Sequence, residues 1–158
     1  MTTPSFTSAL DVPMDEIERP KPIPTGSYIA QIVGLPQSRD VNVKGEERET
    51  LNINMKLVAP QQLDNPEAMT DYGDLSAARP LQRMFWFSKP SATAEELWGF
   101  RQFVVNTLKI DTAGKSVKQV CAEMAGKQLL VTIGHTTGID KNTQEAVIYS
   151  NITATAAL

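Results

Sequence analysis

"ETLNINMKLVAP", residues 49–60, decides how this chain is read. Leu51, Ile53, Met55 and Leu57 fall on one side of an extended backbone, and Asn52, Asn54 and Lys56 on the other. Side chains alternate across a strand with a period of two, so the pattern describes a strand with one face buried and one in water. The neighbouring segments extend this reading. "GSYIAQIVGLP" (26–36) is strand one, ahead of this strand two, with Tyr28, Ala30 and Ile32 alternating with Ile29, Gln31 and Val33. "QSRDVNVKGEER" (37–48), between the two, is polar and reads as a loop or hairpin tip centred on "KGEE". "PLQRMFWFS" (80–88) is the third strand.

A helix follows over "SATAEELWGFRQFVVNTLKI" (91–110). Thr93 and Glu96 have capping-box spacing, and Leu97, Phe100, Val104 and Leu108 make one apolar stripe. "KSVKQVCAEMAGK" (115–127) predicts a shorter helix that starts at Ser116 and stops at Gly126, with Cys121 as a packing residue on its apolar side. "KQLLVTIGHT" (127–136) and "EAVIYSNITAT" (145–155) are the last two strands, joined by a hairpin connection, with His135 a surface or edge side chain. The class is mainly β with one or two helices. The order β-β-β-α-β-β is that of the OB-fold, a five-stranded Greek-key barrel. Another small β-barrel or sandwich with one packed helix would give the same order.

Five prolines between residues 1 and 24 disfavour helix and ladder, so this segment predicts an extended arm or a disordered tail. Residues 25–158 then form a single domain, with an irregular acidic insert at 60–79. Formal net charge is −3, but it is unevenly spread. The arm holds four acids and two bases, and residues 60–78 hold Asp64, Glu67, Asp71 and Asp74 with no base, which leaves the rest mildly basic.

Catalytic patterns are missing. Gly114-Lys115-Ser116 ends like a phosphate-binding loop, but the glycine that the motif needs five residues earlier is Lys109. One cysteine and one histidine argue against a structural zinc site and an internal disulfide framework, and the acids of "GEERE" (45–49) read as a solvated hairpin tip. A non-enzyme without cofactor or metal is expected. No apolar run is long enough to span a membrane, and the first residues lack the pattern of a signal peptide.

Binding chemistry has a place to sit. An OB-fold binds oligonucleotides across its second and third strands, flanked by two loops. Arg39, Lys44 and Arg48 fall in the first of these loops and Lys141 in the second; Lys56 lies on strand two, Arg83 on strand three and Arg79 just before it. Cations neutralise phosphates, and aromatic faces stack on unpaired bases. In "PLQRMFWFSKP" (80–90), alternation sets Leu81, Arg83, Phe85 and Phe87 on the core side, Arg83 reaching outward, and Gln82, Met84, Trp86 and Ser88 on the other. Only Trp86 of the three aromatics can then stack, provided that neither arm nor insert covers it. Charged hairpin tips for solubility would produce much the same placement.

"PKPIPTGSYIAQIVG" (20–34), with its Pro-x-Pro and Gly-x-Tyr, together with Gly126, Lys127, Leu129, Val131 and Ile133 of the later glycine-lysine strand, resembles phage proteins of domain-of-unknown-function family 669. The resemblance implies an OB-like, single-stranded DNA-binding protein of phage or prophage, acting in replication or recombination in the host cytoplasm. The chain departs from phage single-strand binders in having no acid after Glu145, and from the family in its 60–79 insert. The alternative is a virion structural or assembly protein whose arm, residues 1–24, contacts further copies or other phage proteins.

Overall fold

A computed structural model describes residues 9–11, 13–16 and 21–158. Six strands form one antiparallel sheet: β1 (Gly26–Ile32), β2 (Gln37–Val43), β3 (Glu46–Leu63), β4 (Leu81–Ser88), β5 (Gln128–Ile139) and β6 (Ala146–Ala156). The order along the sheet is β2-β3-β1-β5-β6, and β4 pairs with β3. The mainly β class holds. The sheet is not the five-stranded barrel expected, because it has a sixth strand and is not closed. Its edge strands β4 and β6 come within 8 Å of each other, Cα to Cα, but share no ladder.

The sixth strand comes from the segment read as a loop. Residues 37–43 are exposed at nearly every position, so burial leaves no periodic trace in them. Their order comes from the ladder to β3, where Gln37 faces Asn52 and Val43 faces Glu46. Lys44 and Gly45 close the hairpin with φ of 51° and 83°, the left-handed pair that a tight two-residue turn needs. The Asn42 side chain secures it by accepting from the Gly45 N–H at 3.0 Å.

Among the described residues three α-helices are present, one more than the sequence predicts. α1 (Pro66–Tyr72) lies inside the expected irregular insert. Asn65 caps it, accepting from the Glu67 N–H, and Pro66 begins it. α2 (Ala94–Gln102) and α3 (Val117–Met124) both carry the complete capping boxes read from the sequence. Glu96 does more than cap. Its carboxylate accepts from the Thr93 N–H, the Ser88 N–H and the Ser88 hydroxyl, which ties the start of α2 to the end of β4. These bonds, led by the one from Thr93, hold its pKa down at about 2. After Gln102 the helix widens into a π-turn over Phe103–Thr107, with Leu108 N–H bonding back to Phe103.

The core lies between the concave side of the sheet and these helices. Tyr28, Ile53, Met55, Val104, Met124 and Leu129 have no exposed surface. Phe85 packs edge-on against Phe100, with ring centres 5.3 Å apart, and lies 5.3 Å from Phe103. Cys121 packs against this core as expected, and burial pushes its thiol pKa up. Among the described residues no helix is long and apolar enough to cross a membrane.

The arm is partly visible. Single 3-10 turns form at Ala9–Asp11 and Met14–Glu16, and residues 1–8, 12 and 17–20 of the expected extended arm lie outside the described residues. Its last residues are anchored. Lys21 Nζ donates to the Asp71 carbonyl at the end of α1. Ile23 is buried, its N–H donates to Ser150 Oγ, and its carbonyl bonds His135 Nε2. His135 and Ser150 are paired across β5 and β6, so the two strands grip one residue of the arm. The Tyr28 hydroxyl donates to the Pro24 carbonyl at 2.6 Å.

Tyr28 makes the fold sensitive to alkali. Burial first, then the neighbouring Tyr72 and Asp64, raise its pKa from 10.0 to about 12. Unfolded chain therefore loses this proton before folded chain does. The Tyr28 contribution to stability should be constant below pH 10 and fall by roughly 2–3 kcal/mol between pH 10 and 12. Urea titrations at pH 9 and 11.5 measure the loss, and Tyr28→Phe should flatten it. An unchanged slope in that variant would assign the alkaline loss to another group.

Candidate nucleic-acid interface

The outer face of the sheet can be written row by row, because residues paired across strands project to the same side. Val41, Arg48 and Ser88 form one row; Arg39, Thr50 and Trp86 the next; Gln37, Asn52 and Met84 a third. Asn54 faces Gln82 in the row beyond, and Lys56 continues the same side past the end of β4. Trp86 is 42% exposed, so among the described residues neither the arm nor the insert closes over it. Thr50 between Arg39 and Trp86 is buried, and its hydroxyl donates to the Arg39 carbonyl. The indole thus stands on a filled floor with a guanidinium-bearing strand beside it.

The hairpin sorts its charges by face. Arg39 and Arg48 lie on the outer side, Arg48 beside Glu46 at 3.3 Å. Asp40 and Glu49 are paired with each other on the inner side, as Glu47 is with Asn42. Lys89 answers these acids. Its ammonium meets Asp40 at 2.9 Å, and that bond, with Glu47 and Glu49 nearby, raises its pKa. An acid run that looks uniform in sequence therefore divides, with Asp40, Glu47 and Glu49 on the inner side and Glu46 alone beside the two arginines on the outer one.

Not all the sequence candidates meet here. Arg39, Arg48, Trp86 and Lys56 share the outer face, and Lys44 sits at the hairpin turn beside them. Arg79 is exposed two residues before β4, toward the Lys56 end of the ladder. Arg83 belongs to the opposite side, as alternation implied. It pairs with the buried Ile53, holds its guanidinium 4.3 Å from the Phe85 ring centre, and donates to the Met84 carbonyl. Its charge is spent on packing. Lys141 tips the β5–β6 hairpin, which runs on past Gly26, whereas the β2–β3 turn lies at the other end of β3. Register thus sets Lys141 and Lys44 at opposite ends of the ladder.

Two further side chains stand out: Asn52, on the face that alternation gives it, and Tyr149 on β6, which pairs with β5 rather than with the Trp86 rows. Asn52 lies beside the Trp86 row, and its Oδ1 is enclosed without a hydrogen-bond partner among the described residues. Tyr149, 48% exposed, lies against Gly138, where an added Cβ would come within 2.7 Å of its ring. A glycine facing an aromatic residue in a hairpin is a readable sign of such stacking, but only once the register is known. No protein-family model matches the chain, and no curated protein is similar to it.

Proposed function

We propose that this protein binds single-stranded nucleic acid, without catalysis, on the outer face of β2, β3 and β4. The observation that carries the reading is Trp86, exposed in the row of Arg39 and next to the row of Arg48. An exposed indole offers a base a stacking face worth about 1–3 kcal/mol, and the adjoining cations neutralise phosphates. Lys44 extends the cationic track at one end and Lys56 at the other. Thr50 and Lys56 are six residues apart, about 20 Å along a strand.

An OB-like scaffold fits this reading. β1 pairs with both β3 and β5, β3 with β4, and β5 with β6, while α2 and α3 lie between β4 and β5. β1 and β2 then act as one strand broken at Gly34, where φ is +70°, and Pro36. The seam between β4 and β6 is where such a barrel stands open. The phage setting, with DNA as the ligand in replication or recombination, is the part of the proposal that rests on the family resemblance.

The test is a fluorescence titration with oligo-dT at two or more salt concentrations. Trp98 is 56% exposed and would contribute signal, so the titration uses Trp98→Phe protein. Quenching should saturate, and three or four phosphate contacts predict a log–log salt slope of roughly −2 to −3. Folded protein that leaves the fluorescence unchanged at low salt would remove the proposal.

A further inference from the structure

The fold does not account for the residue at the middle of α2. A helix advances by about 100° per residue, so the buried Phe100 and the Glu96 that ties α2 to β4 share its inward side. Trp98, central in Ala94–Gln102, points directly away from them. Its indole is 56% exposed, more than that of Trp86, and is not part of the core cluster. Ala94, Glu95 and Arg101 lie within about 60° of it around the helix and are exposed as well. Leu97, at the lip of an open groove toward α3, flanks this face at 42% exposure. A lone exposed leucine needs no explanation, but tryptophan and arginine are the residues most enriched at the energetic centres of protein interfaces.

The face is complementary to itself. Glu95 and Arg101 lie three residues before and three residues after Trp98. Neither forms an ion pair among the described residues; the Arg101 guanidinium rests 5.2 Å from the centre of the Trp98 ring. We propose that α2 is the contact between two copies of this chain, packed antiparallel about a two-fold axis at Trp98. The two indoles meet at the centre, and Glu95 of each copy lies level with Arg101 of the other, twice by symmetry. Helix axes pack about 8–10 Å apart, a gap that both side chains span. Parallel packing would instead set Glu95 level with Glu95 and Arg101 with Arg101, which repel. A nine-residue helix makes a small interface, so the dimer is reversible and dependent on concentration. Phe85 and Phe100 touch between β4 and α2, and Trp86 and Trp98 point outward from those two elements. The contact therefore leaves Trp86 uncovered and does not rest on nucleic-acid binding.

Sedimentation velocity of the full chain over a wide range of concentration tests this. The sedimentation coefficient should rise from that of a monomer to that of a dimer. Trp98→Ala removes the central ring from a position outside the core, and should weaken the dimer roughly 30-fold or more while circular dichroism shows the chain folded. Glu95→Arg sets like charges level and should weaken it roughly fivefold. Adding Arg101→Glu to the same chain restores opposite charges and should recover the dimer. That second change opposes the helix dipole, so the recovery cannot come from a more stable helix. The proposal is overturned if the full chain stays monomeric, if Trp98→Ala sediments like its parent, or if the double variant associates no better than Glu95→Arg. A monomer whose affinity for oligo-dT falls with Trp98→Ala would give this face to nucleic acid, which also overturns it.

Discussion

Trp86→Ala weakens binding to oligo-dT by roughly 5- to 150-fold, the loss of about 1–3 kcal/mol of stacking, and leaves the thermal midpoint nearly unchanged. Its neighbours behave in the opposite way. Phe85→Ala removes a ring that is 8% exposed and packed against Phe100 and Phe103, and should cost roughly 3–5 kcal/mol of stability. One strand thus sets an exposed ring between two buried ones, and the pair of measurements tests whether their roles differ. Binding is read by titration in the Trp98→Phe background using anisotropy of a labelled oligonucleotide, because Trp86→Ala removes the intrinsic signal. Stability is read by urea unfolding. A Trp86→Ala protein that binds like its parent would show that the exposed indole has no part in recognition. Arg39→Gln adds an independent check, since losing one phosphate contact should reduce the steepness of the salt dependence by about 0.7.

Gly26→Ala should destabilise the protein by roughly 3 kcal/mol or more, combining backbone strain with a clash that cannot relax. Gly26 begins β1 at φ +145°, a conformation that L side chains rarely adopt. A Cβ there would lie 2.5 Å from the Gln62 carbonyl oxygen and 2.8 Å from Leu63 Cα, both backbone atoms. The residue pairs with Leu63 on one side and Ile133 on the other, beside a register shift between Ser27 and Tyr28. The strain would therefore reach both ladders of β1. Gly114→Ala is a useful comparison. Gly114 has φ +70°, in the milder left-handed region, and nothing within 4 Å of the added carbon, so it gives the cost of that positive φ without a clash. Equal losses in the two variants would mean that the contact with β3 contributes nothing.

The sequence revealed those elements whose stability comes from burial. Leu51, Ile53, Met55 and Leu57 are all buried, as their alternation requires, and both capping boxes form. The splitting of Phe85 and Phe87 from Trp86 also follows from alternation alone. The illegible parts have other sources of order. β2 is held by backbone pairing with β3, which leaves no hydrophobic period in residues 37–43. α1 buries no residue at all, so its only trace was the cap at Asn65 and the proline after it. Leu97 sits in the apolar stripe yet remains partly exposed, because α2 gives way to a π-turn and the groove beside it is open. For the site, charge position along the chain was readable but face was not. Arg39 and Asp40 are adjacent in sequence and on opposite sides of the sheet, and only the β2–β3 register shows it.

That segregation gives the hairpin a polarity toward any approaching polyanion. From the side of Asp40, Glu47 and Glu49 a phosphate chain would meet like charge held in place by Lys89; from the other side it would meet Arg39 and Arg48, with Glu46 beside Arg48. A polyanion would thereby be steered to one side of the hairpin, even on a molecule whose total charge is −3. The overall sign of the protein and the sign on that side are set by different residues.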